Sequence, residues 1–230
     1  MDILVTGAAR GLGYVLCNLL ASEGHRVFAG IRPQSANAEI KALAEKYSDL
    51  ILLDMDVTDE NQVAECAKNV AGTCGKLDAV VSNAGVLCDS DRTLPILETN
   101  LDDLRTALEV NVVGSAAVIK HFHKLVKPDG IFITITSEAG SMQNPGTVYS
   151  AYGISKSAQN KLVLIFKSNK PGFRVYAMHP GRMNTDMGRK TAQIEPIEAA
   201  RGIAGILSGA ITVPEENGWY IDYMGNAMPV

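Results

Sequence analysis

The stretch DILVTGAARGLGYVLCNLLAS, residues 2–22, decides the fold. Asp2–Thr6 is a short apolar run ending on glycine and reads as a strand. Leu12, Val15, Leu16, Leu19 and Leu20 then recur at helical spacing, and the pattern stops at Gly24, a normal helix end. Between strand and helix lie Gly7, Gly11 and Gly13. Glycines in that place let the backbone turn tightly and approach a pyrophosphate. The helix that opens at Leu12 supplies free N–H groups and the positive end of its dipole. Three glycines alone could be an ordinary tight turn; their position straight after a first strand is what points to a dinucleotide.

The rest of the chain continues the alternation. Arg26–Ile31 reads as strand two, Ala38–Tyr47 as a helix and Leu50–Val57 as strand three. Thr58 is placed to cap a helix running to about Ala71. Leu77–Ser82 is strand four, and a loop rich in Asp, Ser and Thr follows. A long helix, Leu101–Val126, is expected to stop before Pro128. Gly130–Thr136 is strand five, Tyr152–Ser168 a helix, Arg174–Met178 strand six, Pro196–Leu207 a helix with proline in its first turn, and Trp219–Asp222 a last short strand. Such an order builds βαβ units with a parallel sheet and helices on both faces. With no linker, repeat or low-complexity stretch, residues 1–230 read as one doubly wound domain.

Bulk properties narrow the function. Apolar residues make up 47% of the 230, charged residues 20%, and the net charge is −4. This suits a globular enzyme, and no basic field points to nucleic acid. No apolar run of about 18 residues suggests a membrane span, and the opening Met1-Asp2-Ile3 does not resemble a signal peptide, so a cytoplasmic protein is expected. Cys17, Cys66, Cys74 and Cys88 form no C-x-x-C pair and have no histidine at metal-site spacing; they read as reduced thiols, and no metal is expected. His121 and His123, two apart on the long helix, do not share a face and read as surface residues.

The acid that would bind the ribose 2′-hydroxyl of NAD, about 20 residues beyond the turn, is absent. Strand two ends Phe28-Ala29-Gly30-Ile31-Arg32, and Arg10 lies in the glycine turn. Both arginines are either solvated surface charges or a clamp for a 2′-phosphate. The second reading predicts NADP(H) as cofactor, with NAD(H) left open.

Tyr152 and Lys156 are four apart at the start of a helix and share a face. A free phenol, with a pKa of about 10, is a poor acid–base group near neutrality, and a neighbouring ammonium lowers it. Tyr149 has no such partner, since its i+4 residue is Gly153. Ser137 lies just past strand five, at the carboxyl end where ligands of such sheets bind. Asn111 sits within the long helix, where asparagine is a poor helix former.

Together these residues resemble the classical short-chain dehydrogenase/reductase family. Thr6-Gly7-Ala8-Ala9-Arg10-Gly11-Leu12-Gly13 is similar to its T-G-x-x-x-G-x-G turn. Ser82-Asn83-Ala84-Gly85 is similar to its N-N-A-G motif, with Ser82 in place of the first Asn. Asp56-Val57 falls where members hold the adenine ring, and Pro180-Gly181-Arg182-Met183-Asn184-Thr185 resembles the P-G-x-x-x-T segment that contacts the nicotinamide amide. Asn111, Ser137, Tyr152 and Lys156 match the family's catalytic tetrad in type and order. Thr185-Asp186-Met187-Gly188, Asn160, the tail Gly218-Trp219-Tyr220-Ile221-Asp222 and the short chain resemble the small carbonyl-reductase-like members, of the sniffer and C-factor type.

The resemblance implies a single Rossmann-type doubly wound parallel sheet of about seven strands, order 3-2-1-4-5-6-7. It also implies hydride transfer between nicotinamide and a carbonyl or alcohol, with Asn111 keeping a water beside Lys156. An NAD-linked alcohol or hydroxysteroid dehydrogenase and a nucleotide-sensing binding protein are the alternatives. The expected partner is a small carbonyl or alcohol compound, not nucleic acid or membrane, and a homodimer or homotetramer is open. Glu138–Val148, with Met142, Gln143, Asn144 and Pro145, and Arg182–Glu195, with Met183, Met187, Arg189 and Lys190, are expected to shape the substrate pocket. The methionines read equally as pocket lining or as core.

Overall fold

The computed structural model describes residues 1–143, 146–169, 171–188 and 192–230. Strands β1 (Asp2–Thr6), β2 (Arg26–Ile31), β3 (Leu50–Asp54), β4 (Leu77–Ser82), β5 (Val126–Ile135), β6 (Arg174–His179) and β7 (Tyr220–Asp222) form one sheet in the order β3-β2-β1-β4-β5-β6-β7. Every neighbouring pair is parallel. The expected doubly wound order is therefore the observed one.

Alternation along the strands separates two cores. Ile3, Val5, Val27, Ala29, Ile131 and Ile133 face helices α1 (Gly11–Ser22), α2 (Ala38–Lys46) and α7 (Pro196–Ser208), where Leu16, Leu20, Ile40 and Ile203 are buried. Leu4, Phe28, Val80 and Phe132 face the opposite layer of α3 (Glu60–Cys74), α5 (Gly114–Phe122) and α6 (Ser150–Ser168), with Val63, Val70, Phe122, Val163 and Phe166. A sheet covered on both faces puts its ligand site at the carboxyl ends of the strands. No helix among the described residues is long and apolar enough to cross a membrane.

Several expected boundaries move, each for a local reason. The long helix is not uniform. It runs as α4 (Leu101–Leu108), a π turn at Glu109–Val113, and α5, then a 3₁₀ turn at His123–Leu125. Pro128 is no stop signal, because β5 begins at Val126. Its pairing with β4 shifts register between Leu77 and Ala79, which accommodates a proline and Gly130 at the start of the strand. Strand β3 ends at Asp54, after which the Asp56 carboxylate accepts from the Thr58 N–H and hydroxyl at 3.0 and 2.8 Å. Thr58 is thus tied backwards, and Asp59 caps α3 instead, accepting from Asn61 and Gln62 N–H; the helix extends to Cys74. Helix α6 starts at Ser150, two residues early.

His121 and His123 are partly exposed surface residues, each with a partner. The first is paired with Glu60 at 3.0 Å, and the second meets Phe166 edge-on. All four cysteines are free thiols, and no metal-binding cluster exists among the described residues. Ser82, the departure from N-N-A-G, stays buried in register opposite Thr134.

Candidate active site

The glycine turn is locked to the end of β4. Thr6 Oγ1 accepts from the N–H groups of Asn83 and Ala84, both at 3.0 Å, and Asn83 Nδ2 donates to the carbonyls of Thr6 and Gly7. Gly7 has φ +67°, and a Cβ there would lie 2.8 Å from Ala84 Cα; one on Gly13 would lie 2.3 Å from the Gly7 carbonyl oxygen. Only glycine fits either place. The first turn of α1, holding Gly11 and Leu12, has no side-chain cap. Uncapped N–H groups at a helix N-terminus beside a glycine cradle fit a pyrophosphate.

Arg10 is exposed and pairs with Asp186 at 3.3 Å. Arg32, also exposed, follows β2 at the start of a 3₁₀ turn, and Asn37 ties that loop to the glycine turn through the Ala9 carbonyl. Asp56 lies beyond β3 in its loop, and Val57 is buried against Gly114. On the far side, Pro180 and Gly181 leave β6 with Gly181 at φ +84°. Met183 bridges to Ile194 and, partly buried, packs against the core. Thr185 lies beside Gly11. Met142 and Met187 remain exposed. Asn144, Pro145, Arg189 and Lys190 lie outside the described residues.

Ser137, Tyr152, Lys156 and Asn111 come together at the ends of β4 and β5. The Ser137 side chain lies close enough to the Tyr152 phenol to favour its ionised form, and the Ser137 carbonyl accepts from Tyr220 Oη at 2.7 Å. Lys156 is 3% exposed; its Nζ lies 5.5 Å from the Tyr152 ring centre and donates to the Ile135 carbonyl at 3.0 Å and Gln159 Oε1 at 2.8 Å. Asn111, fully buried in the π turn, accepts from Val86 N–H at 2.8 Å and donates to the Val86 carbonyl and Ser155 Oγ. Its own carbonyl accepts from Ser115 Oγ.

Electrostatics depart from the expectation that the lysine holds the phenol pKa down. Burial pushes the Tyr152 phenol up to about 12, and the nearby Ser137 side chain pulls the other way. Burial also brings the Lys156 ammonium down to about 7. Desolvation of both groups outweighs their mutual effect at this separation.

Sequence reasoning missed Asp91. This 3%-exposed carboxylate, from the loop after β4, accepts from Ala151 N–H at 2.9 Å and Tyr152 N–H at 2.8 Å, while its carbonyl takes Tyr149 N–H. It caps α6 from 61 residues away in the chain, a distance at which no local capping signal exists. It also brackets Tyr149, whose φ of +63° makes it the one non-glycine residue with left-handed backbone among those described. Also missed was the joining of the two pocket segments, where Arg182 Nε donates to Glu138 Oε1, and the tie of the second segment to the loop after β4, where Arg92 donates to the Met187 carbonyl.

A family model described as short chain dehydrogenase matches residues 2–195. The NADPH-dependent pterin aldehyde reductase of Arabidopsis thaliana is 29% identical, over 80% of this chain and 76% of its own. The cyclopentanol dehydrogenase of Comamonas sp. (strain NCIMB 9872) is 30% identical, over 93% and 85%. A solved short-chain dehydrogenase/reductase from Burkholderia multivorans with bound NADP is 26% identical with a TM-score of 0.88, covering 100% of this chain and 99% of that one. The carbonyl reductase Sniffer of D. melanogaster, at 24% identity and a TM-score of 0.88 over 100% and 99%, shares the fold.

Two outcomes follow from the geometry. Folded Lys156 loses its charge near 7, whereas unfolded lysine keeps it to about 10. Unfolding therefore takes up a proton between these values, and stability rises with pH across that window. Urea unfolding at pH 7 and pH 9 should show wild type gaining about 2 kcal/mol more than Lys156→Met; parallel behaviour would refute the burial of the charge. Asp91→Ala, which leaves two α6 N–H groups without an acceptor, should lower the unfolding free energy by about 1–3 kcal/mol. An unchanged urea midpoint would show that Asp91 does not cap α6.

Proposed function

The chain belongs to the short-chain dehydrogenase family, enzymes acting between CH–OH and C=O groups, and on that premise we propose that it is an NADP(H)-dependent carbonyl reductase, one domain over residues 1–230, working through Ser137, Tyr152, Lys156 and Asn111. The observation that carries this reading is buried Lys156 with its Nζ 5.5 Å from the Tyr152 ring one helical turn back, at the same sheet edge as the glycine cradle.

The turn from Gly7 to Gly13 and the start of α1 would hold the pyrophosphate, and Asp56 and Val57 the adenine end. Asn83, Ala84 and Gly85 would line the floor, Lys156 would hold the ribose, and Pro180, Gly181, Met183 and Thr185 would take the nicotinamide amide. Arg10 and Arg32 would hold the 2′-phosphate. The exposed Arg10–Asp186 pair is too weak to withhold that guanidinium from a doubly charged phosphate.

When bound, the reduced dinucleotide supplies the hydride that reaches the carbonyl carbon. Ser137 orients and polarises the substrate oxygen. Tyr152 donates its proton to that oxygen as negative charge develops on it; a phenol held protonated by burial is the right form for this direction. Lys156, with its ammonium brought near neutrality, stabilises the phenolate left behind and passes on a proton. Asn111 braces the β4 loop against α6, and its carbonyl accepts from Ser115 Oγ.

Purified protein mixed with NADPH and a panel of aldehydes, ketones and quinones should consume NADPH absorbance, with NADH slower in parallel. Tyr152→Phe should reduce kcat at least about a hundredfold while leaving nucleotide binding intact. Near wild-type turnover in that variant sinks the assignment. Arg10→Ser combined with Arg32→Ser should raise KM for NADPH about tenfold or more and leave NADH unaffected; equal use of both nucleotides by wild type removes the phosphate clamp.

A further inference from the structure

Helix α6 buries one face at Ser155, Lys156, Gln159, Asn160, Val163 and Phe166, with Tyr152 partly buried at its start. Beyond the lysine that face turns apolar except at Gln159 and Asn160. Gln159 has no exposure at all, and a buried amide is costly unless each end is bonded. Both ends are. Gln159 Oε1 accepts from Lys156 Nζ at 2.8 Å, and Nε2 donates to Ser115 Oγ at 2.7 Å. Ser115 Oγ in turn donates to the Asn111 carbonyl at 2.8 Å. The direction of this chain fixes the amide. Ser115 uses its one proton on Asn111 and so must accept from Gln159, which aims the amide oxygen at the ammonium. The reverse orientation would set NH₂ against NH₃⁺.

Asn111 closes the circuit by donating to Ser155 Oγ at 2.9 Å, and Ser155 donates to the Tyr152 carbonyl at 2.7 Å. Tyr-x-x-x-Lys chemistry requires no polar side chain three residues past the lysine. Here one is present, buried, and in direct contact with it.

We propose that Gln159 is a positioning residue for Lys156: its side-chain oxygen holds the ammonium charged and aimed, and its amide nitrogen anchors that hold, through Ser115, to the π turn at Asn111. The proposal rests on the reading of Lys156 as the functional lysine. The titratable group facing Lys156 is the Tyr152 phenol on its own helix. The groups that meet it from β5, the β4 loop and the π turn are the Ile135 carbonyl, Gly85 and Asn111, and Ser115 of α5 lies behind Gln159; all are uncharged. Burial already draws the lysine toward neutrality, so each acceptor weighs heavily on its charge.

The test titrates the nucleotide-free protein with ¹³C-labelled lysine followed by NMR, the Lys156 signal being assigned by its loss in Lys156→Met. Gln159→Leu removes the acceptor and should lower the Lys156 midpoint by about one pH unit. Gln159→Glu places a carboxylate on the ammonium and should raise it by at least as much. Ser115→Ala leaves the amide present but unanchored, and should move the midpoint in the direction of Gln159→Leu; it carries the test if that variant does not fold. A lowered midpoint in the leucine variant, against a raised one in the glutamate variant, establishes the role: the glutamate shift shows that position 159 reaches the ammonium, and the leucine shift that the native oxygen holds it. Midpoints indistinguishable from wild type in Gln159→Glu and in either of the other two overturn it. The pH dependence of kcat with NADPH and phenanthrenequinone is measured alongside and should move with the midpoints. Absence of turnover in wild type would count against the reductase reading alone, and the titration would still decide on Gln159.

Discussion

An ammonium group taken out of water must be given acceptors, and much of the site follows from that demand at Lys156. Its nitrogen lies beneath the end of β5, where the Ile135 carbonyl, the last of the strand, is free to receive it. Gly85 sits between this nitrogen and Asn111: a Cβ there would press to 3.2 Å from Asn111 Oδ1 and stand in ordinary contact, 3.6 Å, with the nitrogen, so the glycine of Ser82-Asn83-Ala84-Gly85 gives room to the asparagine. Dry surroundings then act on both partners at once, making the phenol a harder acid to ionise and the lysine an easier one. The two groups, close in proton affinity in water, are driven apart by the same loss of water: the phenol keeps its proton and the lysine gives its up more readily.

The sheet makes that burial possible. Parallel strands staggered around β1 and β4 end at one edge, and the two strands are joined there by the Thr6 hydroxyl and the Asn83 amide rather than by ladder bonds. The nucleotide cradle and the Tyr–Lys helix therefore share one rigid support. Elements arriving from far along the chain complete it: Asp91 holds the start of α6, and Tyr220 of β7 holds Ser137 by its carbonyl. Functional groups set by rigid elements and braced by a surrounding hydrogen-bond shell keep their geometry without a ligand to organise them.

Much of this was legible in the amino-acid order where the signal is local. Strand, glycine turn and helix over residues 2–22 carry their periodicities in adjacent residues, and Tyr152 with Lys156 is an i,i+4 pair. The strand order agrees with the expected 3-2-1-4-5-6-7. What stayed hidden depends on partners remote in the chain. Pro128 reads as a helix stop only while the register shift opposite Leu77 is unknown. Thr58 looks like a cap until Asp56 draws it back. Asp91 stands in a loop of similar polar residues, and Gln159 looks like one more polar helix residue until the fold withdraws both from solvent. Asn111 was suspect as a poor helix former, but nothing in its neighbours announces a π turn.

That turn has a consequence for how the helix is used. A single extra residue in a helical run rotates everything after it by roughly 100°. Upstream of Glu109–Val113 the run lies on α6; downstream it lies on α3, with Gly114 admitting Val57 at the crossover. The inserted residue works as a phase shifter between two gears that could not otherwise mesh on one shaft. Asn111 sits at the change of phase, which is where a backbone released from its regular ladder can turn a side chain inward.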